Sequence, residues 1–242
     1  FNMDGKKFYF PKDVLFALPT SEKMFVGNFP TGTKFIGENL AAGIYWETSW
    51  GANDLDLSGL NIGGKIGWNA DYTQNEGELT YSGDITSAPN GAVEYLHARE
   101  GLSEPTLVMN NVYSGEDTSG YKIIVGLGSD INLDYMMNPN NLFVEVKTEA
   151  VQKNMVLGIL IPEYGKQSFV LLNFGAGHTH VSGNSDISNL ATKALFEQWK
   201  SPLSFNEFVL TLGGVIVEDS SEADFNFSLD SLEKDSFTKI FE

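Results

Sequence analysis

The sequence predicts a mainly β protein, an antiparallel two-layer β-sandwich with one or two helices near its C-terminal end. Three observations carry this. Short apolar runs recur along most of the chain, several of them alternating with polar residues at period two. Gly, Pro, Asn and Ser clusters interrupt them every eight to fifteen residues, a spacing that suits a sandwich or barrel better than βαβ units. Helical periodicity enters only after residue 186.

The first forty residues read as short strands at 7–10, 14–18, 24–26 and 34–36, broken by Pro11, Pro19, Pro30 and Gly32. Strands follow at 43–48 and 54–60, and the Gly63-Gly64 pair turns the chain into another at 65–68. Further strands fall at 78–81, 91–98, 107–112, 121–127, 142–148, 155–161 and 168–174. Ile187, Leu190, Ala191, Ala194, Leu195 and Trp199 share one helical face, and Pro202 stops that helix. A second, shorter helix starts at Ser204, which with Glu207 has the spacing of a capping box, and ends at Gly213-Gly214. A strand returns at 215–218. Residues 1–218 are thus expected to form the sandwich domain, and 219–242 an acidic linker followed by a short docking helix or tail.

Composition narrows the function. With 42% hydrophobic, 12% aromatic and 19% charged residues, the 242-residue chain has enough apolar material for a core. Its formal net charge is −17 and Arg99 is its only arginine, which argues against nucleic acid and against anionic membranes as partners. The absence of cysteine removes disulfides, thiolate metal sites and cysteine nucleophiles. No apolar run is long enough to span a bilayer as a helix. The sequence starts at Phe1 and Met3 reads as internal, which leaves room for an upstream segment such as a removed signal peptide.

One stretch gathers oxygen ligands. In Trp50-Gly-Ala-Asn-Asp-Leu-Asp-Leu-Ser58, alternation puts Leu55, Leu57 and Gly59 on a core face and Asp54, Asp56 and Ser58 on a wet one. Asp84 and Asn90 sit in later turns. A hard cation such as Ca²⁺ takes six to eight oxygens of this kind, so these residues form a candidate metal site; the competing reading is a set of solvated turn formers.

The same residues carry a resemblance. The strand with Gly51-Ala-Asn-Asp-Leu-Asp-Leu-Ser58, the hairpin Gly64-Lys-Ile-Gly-Trp68, and Ser82-Gly-Asp-Ile-Thr86 with Glu94 resemble the tellurium-resistance TerD family over residues 40–175. The resemblance implies a calcium-binding β-sandwich of stress-response systems, a non-enzymatic binding and assembly module whose partner is another protein, in the cytoplasm. It implies Asp54, Asp56 and Asp84 as the acidic positions. Where that family has further acids after its loop, this chain has Ser87-Ala-Pro-Asn-Gly-Ala-Val-Glu94 and keeps only Glu94, so the expected Ca²⁺ site is degenerate.

Two other constellations stand beside it. His178 and His180, at i and i+2, suit zinc or copper if Asp186 or His97 supplies a third ligand, or a hydrolase base if a nucleophile is near; surface histidines are the plain alternative. Tyr45, Trp46, Trp50, Trp68, Tyr72 and Tyr81 form either a buried core or an exposed platform for carbohydrate. The platform supports an alternative function, a secreted or virion-borne sandwich that binds glycans or serves structurally. Exposure of the rings separates the two.

Overall fold

The computed structural model describes residues 3–21, 23–128, 137–177 and 186–241. Its strands, in chain order, are β1 (Lys7–Tyr9), β2 (Val14–Leu15), β3 (Phe25–Val26), β4 (Phe29–Pro30), β5 (Lys34–Gly37) and β6 (Ala41–Trp46). Next come β7 (Ala52–Asn61), β8 (Gly64–Gly67), β9 (Thr73–Gln74), β10 (Leu79–Tyr81), β11 (Ala92–Ala98) and β12 (Thr106–Gly115). The last six are β13 (Gly120–Gly126), β14 (Leu142–Glu149), β15 (Asn154–Glu163), β16 (Lys166–Gly175), β17 (Val215–Val217) and β18 (Phe225–Asn226). Helices α1 (Asp186–Trp199) and α2 (Phe205–Thr211) precede β17.

Two sheets make the sandwich. One has six strands in the order β14-β13-β6-β11-β10-β9, the other seven in the order β2-β5-β16-β15-β12-β7-β8, and neighbours in both are antiparallel. Between them lies the main core, where Leu55, Leu57, Val108 and Leu157 of one sheet meet Ile44, Trp46, Leu96 and Ile123 of the other. Gly59 is placed there by necessity. A Cβ on it would come within 2.9 Å of Leu96 of the opposite sheet and of Thr106 beside it, so the two layers approach closely only because the residue has none.

The far face of the seven-stranded sheet is also apolar. Leu60, Met109, Ile159 and Leu172 pack there with Leu195, Phe196 and Trp199 of α1. The predicted helix is present, but its face is corrected: Leu190 and Ala194 are exposed, and Thr192 and Phe196 join Leu195 and Trp199 on the covered side. Ser204 caps α2 as expected, its side chain accepting from the Glu207 amide.

Residues 219–242, read from sequence as an acidic linker and a docking helix or tail, run as a 3-10 turn (Ser220–Glu222), β18 and three more such turns. β18 and β17 flank β1 as parallel neighbours, whereas the pairs within the two large sheets are antiparallel. Phe227, Leu232 and Phe237 of this segment are buried, and Phe227 and Phe237 meet Phe16 and Phe205 in tilted and edge-on contacts at ring-centroid distances of 5.2–6.0 Å. Aromatic spacing, rather than helical periodicity, decides how this end packs.

Candidate metal centre at the flank of β7

β7 is ten residues long, but β8 pairs only with its last four, Ser58–Asn61. Its first half therefore has β12 on one side and no strand on the other. An unpaired buried backbone donor is costly, and the amide of Leu57 finds its acceptor in the opposite sheet: the Glu94 carboxylate of β11, at 2.9 Å. The other bonds of Glu94 fix the loop after β10. Its Oε2 also accepts from the Tyr81 hydroxyl at 2.7 Å, and its Oε1 from the Ile85 amide at 2.9 Å.

Asp84 immediately precedes Ile85. With the loop held in this way, the carboxylates of Asp54, Asp56 and Asp84 each offer an oxygen within 4.8 Å of the others. All three predicted aspartates are thus brought together. The expected wet face is corrected, however: Asp54 and Asp56 are only 6% and 4% exposed, and Ser58 is buried as well. Alternation distinguishes two faces of a strand but does not say that one of them meets water.

Burial shapes the electrostatics. Asp54 is pushed up to about 6 by burial and then by the Asp84 charge. Asp56 is also pushed up to about 6, by burial first and Asp54 second, against the Asn111 hydrogen bond and the Lys65 charge. Asp84 is raised by burial. Glu94 is pushed up to about 8 by burial, opposed by the three hydrogen bonds it accepts from the Ile85 and Leu57 amides and the Tyr81 hydroxyl. Lys65 is held below its ordinary value by burial, with Asp56 pulling the other way. The aspartates share no ion pair with it, and Asp54 Oδ1 and Asp84 Oδ1 are buried without a hydrogen-bond partner.

Sequence reasoning missed the neutral oxygen. Asn111 stands opposite Asp56 in the β12–β7 ladder and its Nδ2 donates to Asp56 Oδ2 at 3.3 Å, while its Oδ1 is buried without a partner. Only the pairing of β12 with β7, which no local pattern reveals, makes it a neighbour of the aspartates. Asn90 is exposed and lines a different recess, beside Tyr45 and Lys122.

The histidine constellation falls mostly outside the described residues. His178, His180 and the side chain of Asp186 lie outside the described residues, and His97 is a buried residue of β11 whose pKa is lowered by burial. The aromatic platform is corrected in part. Trp46 and Tyr81 are fully covered core residues, while Trp68 stays 40% and Tyr113 61% exposed, their rings 6.3 Å apart. Lys65 Nζ lies 5.6 Å from the Trp68 ring, which places this pair next to the aspartates.

No family model matches this chain, and no curated protein matches it.

Proposed function

We propose that this chain is a non-enzymatic binding module of the TerD type, whose Asp54, Asp56 and Asp84 hold one Ca²⁺ ion and whose partner is another protein. The observation that carries the reading is the convergence of three carboxylates within 4.8 Å, two of their oxygens buried and unpartnered. Oxygens bound to one Ca²⁺ at about 2.4 Å lie at most about 4.8 Å apart, so the cluster has the dimensions of a single coordination shell. Asn111 Oδ1 would add a neutral ligand, with water completing the shell. Three acids against half-committed Lys65 leave the site short of positive charge, and a divalent cation supplies it.

The binding role, rather than catalysis, is supported by the state of Glu94. That carboxylate is committed to two amides and a hydroxyl and is fully covered, so it positions Asp84 and is closed to a substrate proton by its burial. The resemblance to TerD-type proteins rests on the same short motifs that build the cluster, and it brings the cytoplasmic setting with it.

The test is titration of the whole chain with Ca²⁺, followed by calorimetry and by melting temperature. Heat of binding and a higher melting temperature are expected, and both should vanish in Asp56→Ala. No heat and no shift in the wild-type chain overturn the reading.

One observation favours a second reading, glycan binding in an extracellular or virion setting. Trp68 and Tyr113 are exposed side by side next to the acids, as a sugar-stacking pair beside a cation would be. Iodide quenching of Trp68 fluorescence that glycans reverse supports it; an unchanged quenching curve across a glycan panel removes it.

A further inference from the structure

Beside the aspartates stands one ammonium that the cation reading leaves without a task. Lys65 of β8 is opposite Leu60 of β7, and residues directly opposite share a face, so its side chain lies on the face that carries Asp56 and Ser58. It is half-buried there. Asn69 Oδ1 accepts a bond from its Nζ, and the Trp68 ring lies 5.6 Å from the same nitrogen. Both partners follow Gly67, which pairs with Ser58, so they draw the ammonium along β8 towards the aspartates.

The approach stops short of contact. Among the described residues Lys65 makes no ion pair with a carboxylate. Its charge nevertheless acts on Asp56, and the Asp56 charge acts on it. The amide and the ring take up the ammonium, while Asp54 Oδ1, Asp84 Oδ1 and Asn111 Oδ1 are buried with no hydrogen-bond partner. A positive charge is thus fixed beside the site while the site's own oxygens stay open.

We propose that Lys65 is a tethered internal counter-ion that sets the affinity and the charge selectivity of the aspartate site. It offsets one of the three carboxylate charges, so an incoming ion meets a weaker negative field than the aspartates alone would present. Repulsion between the ammonium and the ion grows in proportion to the ion's charge, so a trivalent ion is penalised more than a divalent one. Because the groups are buried or half-buried, salt screens this effect less than it would screen an exposed pair. Lys65 supplies no ligand atom and acts through its field alone. The inference rests on the reading of Asp54, Asp56 and Asp84 as a Ca²⁺ site and adds what tunes that site.

The test is calorimetric titration of the whole chain at pH 7 with Ca²⁺ and with Tb³⁺, in the wild type and in Lys65→Met, which keeps an apolar stem and removes the charge. Ca²⁺ should bind about tenfold tighter in the variant and Tb³⁺ about thirtyfold tighter, because the exponent scales with the charge of the ion. Lys65→Gln, which also lacks the charge but keeps an amide donor for Asn69, should give the same two shifts, so the comparison survives if methionine disturbs β8. Lys65→Arg keeps the charge and should stay within about twofold of the wild type for both ions. A role in packing alone would shift both ions by one common factor, and that outcome overturns the proposal. So does wild-type binding that both uncharged variants leave unchanged or weaken. If the wild type binds neither ion, the Ca²⁺ reading itself falls and takes this inference with it, whereas the other outcomes arise only when the wild type binds.

Discussion

β7 and β14 face the same problem, a flank with no neighbouring strand, and solve it differently. On β7 the opposite sheet closes the flank: Glu94 reaches across, accepts from the Leu57 amide and holds the loop that carries Asp84. On β14 no described strand does so; the Gly27–Phe29 turn packs on its Val146–Lys147 end and a groove remains beside the rest. Closing an edge with a buried acid concentrates negative charge inside the protein and creates demand for a cation. Leaving an edge open keeps the backbone available to a partner.

The closed flank should be the more fragile. Glu94→Ala strips an acceptor from the Leu57 amide, the Ile85 amide and the Tyr81 hydroxyl at once. Each stranded buried donor costs about 1–3 kcal/mol, so the total loss should be about 3–5 kcal/mol in urea unfolding, after allowing for the charge that is also removed. The Ca²⁺ response should go with it, because Asp84 loses its anchor. A loss below about 1 kcal/mol would mean that water replaces the carboxylate and that the flank is not closed by Glu94.

Cation binding comes next in size. At about a hundredfold excess over Kd, a ligand specific to the folded state adds about 2.7 kcal/mol, which for a chain of this length raises Tm by about 5–10 °C. A chelator should reverse the shift. Hydrogen exchange should slow around β7 and the Asp84 loop and stay unchanged along β14, a contrast that would collapse if the ion bound elsewhere.

A smaller gain is expected from Asp54→Asn without cation. The folded-state pKa values of Asp54 and Asp56 are raised to about 6, so each contribution to stability is fully present below the unfolded value and is lost as pH rises through 6. Metal-free protein should therefore lose stability between about pH 4 and pH 6.5 in urea titrations. Asp54→Asn should flatten this slope and gain about 1–2 kcal/mol at pH 7.5, while weakening Ca²⁺ binding. A slope unchanged by the substitution would show that Asp54 does not carry the charge strain.

The sequence made most of this fold legible because strand propensity and turn chemistry are local. β12, β14, β15 and β16 lie within a few residues of their predicted bounds, and Asp54, Asp56 and Asp84 converge as their motifs suggest. What stayed hidden depends on strand order. Asn111 and Lys65 meet Asp56 only because β12 and β8 both adjoin β7, and Glu94 acts across the sandwich on a residue 37 positions away. Asp54 and Asp56 read as wet because alternation carries no information about what covers a face. The packing of Phe227 and Phe237 was equally hidden, since 3-10 turns leave no periodic trace.

The open flank should give the smallest change in stability. Glu145 bonds Lys122 at 2.9 and 3.0 Å, but its side chain is 49% exposed, and an ion pair in that setting is worth about 0–1 kcal/mol. Glu145→Ala should therefore shift urea unfolding by no more than about 0.5 kcal/mol. It should leave Ca²⁺ binding and the pH slope unchanged. If the substitution instead cost as much as the loss of Glu94, β14 would be held by its charges as β7 is, and the contrast between a closed and an open edge would fail.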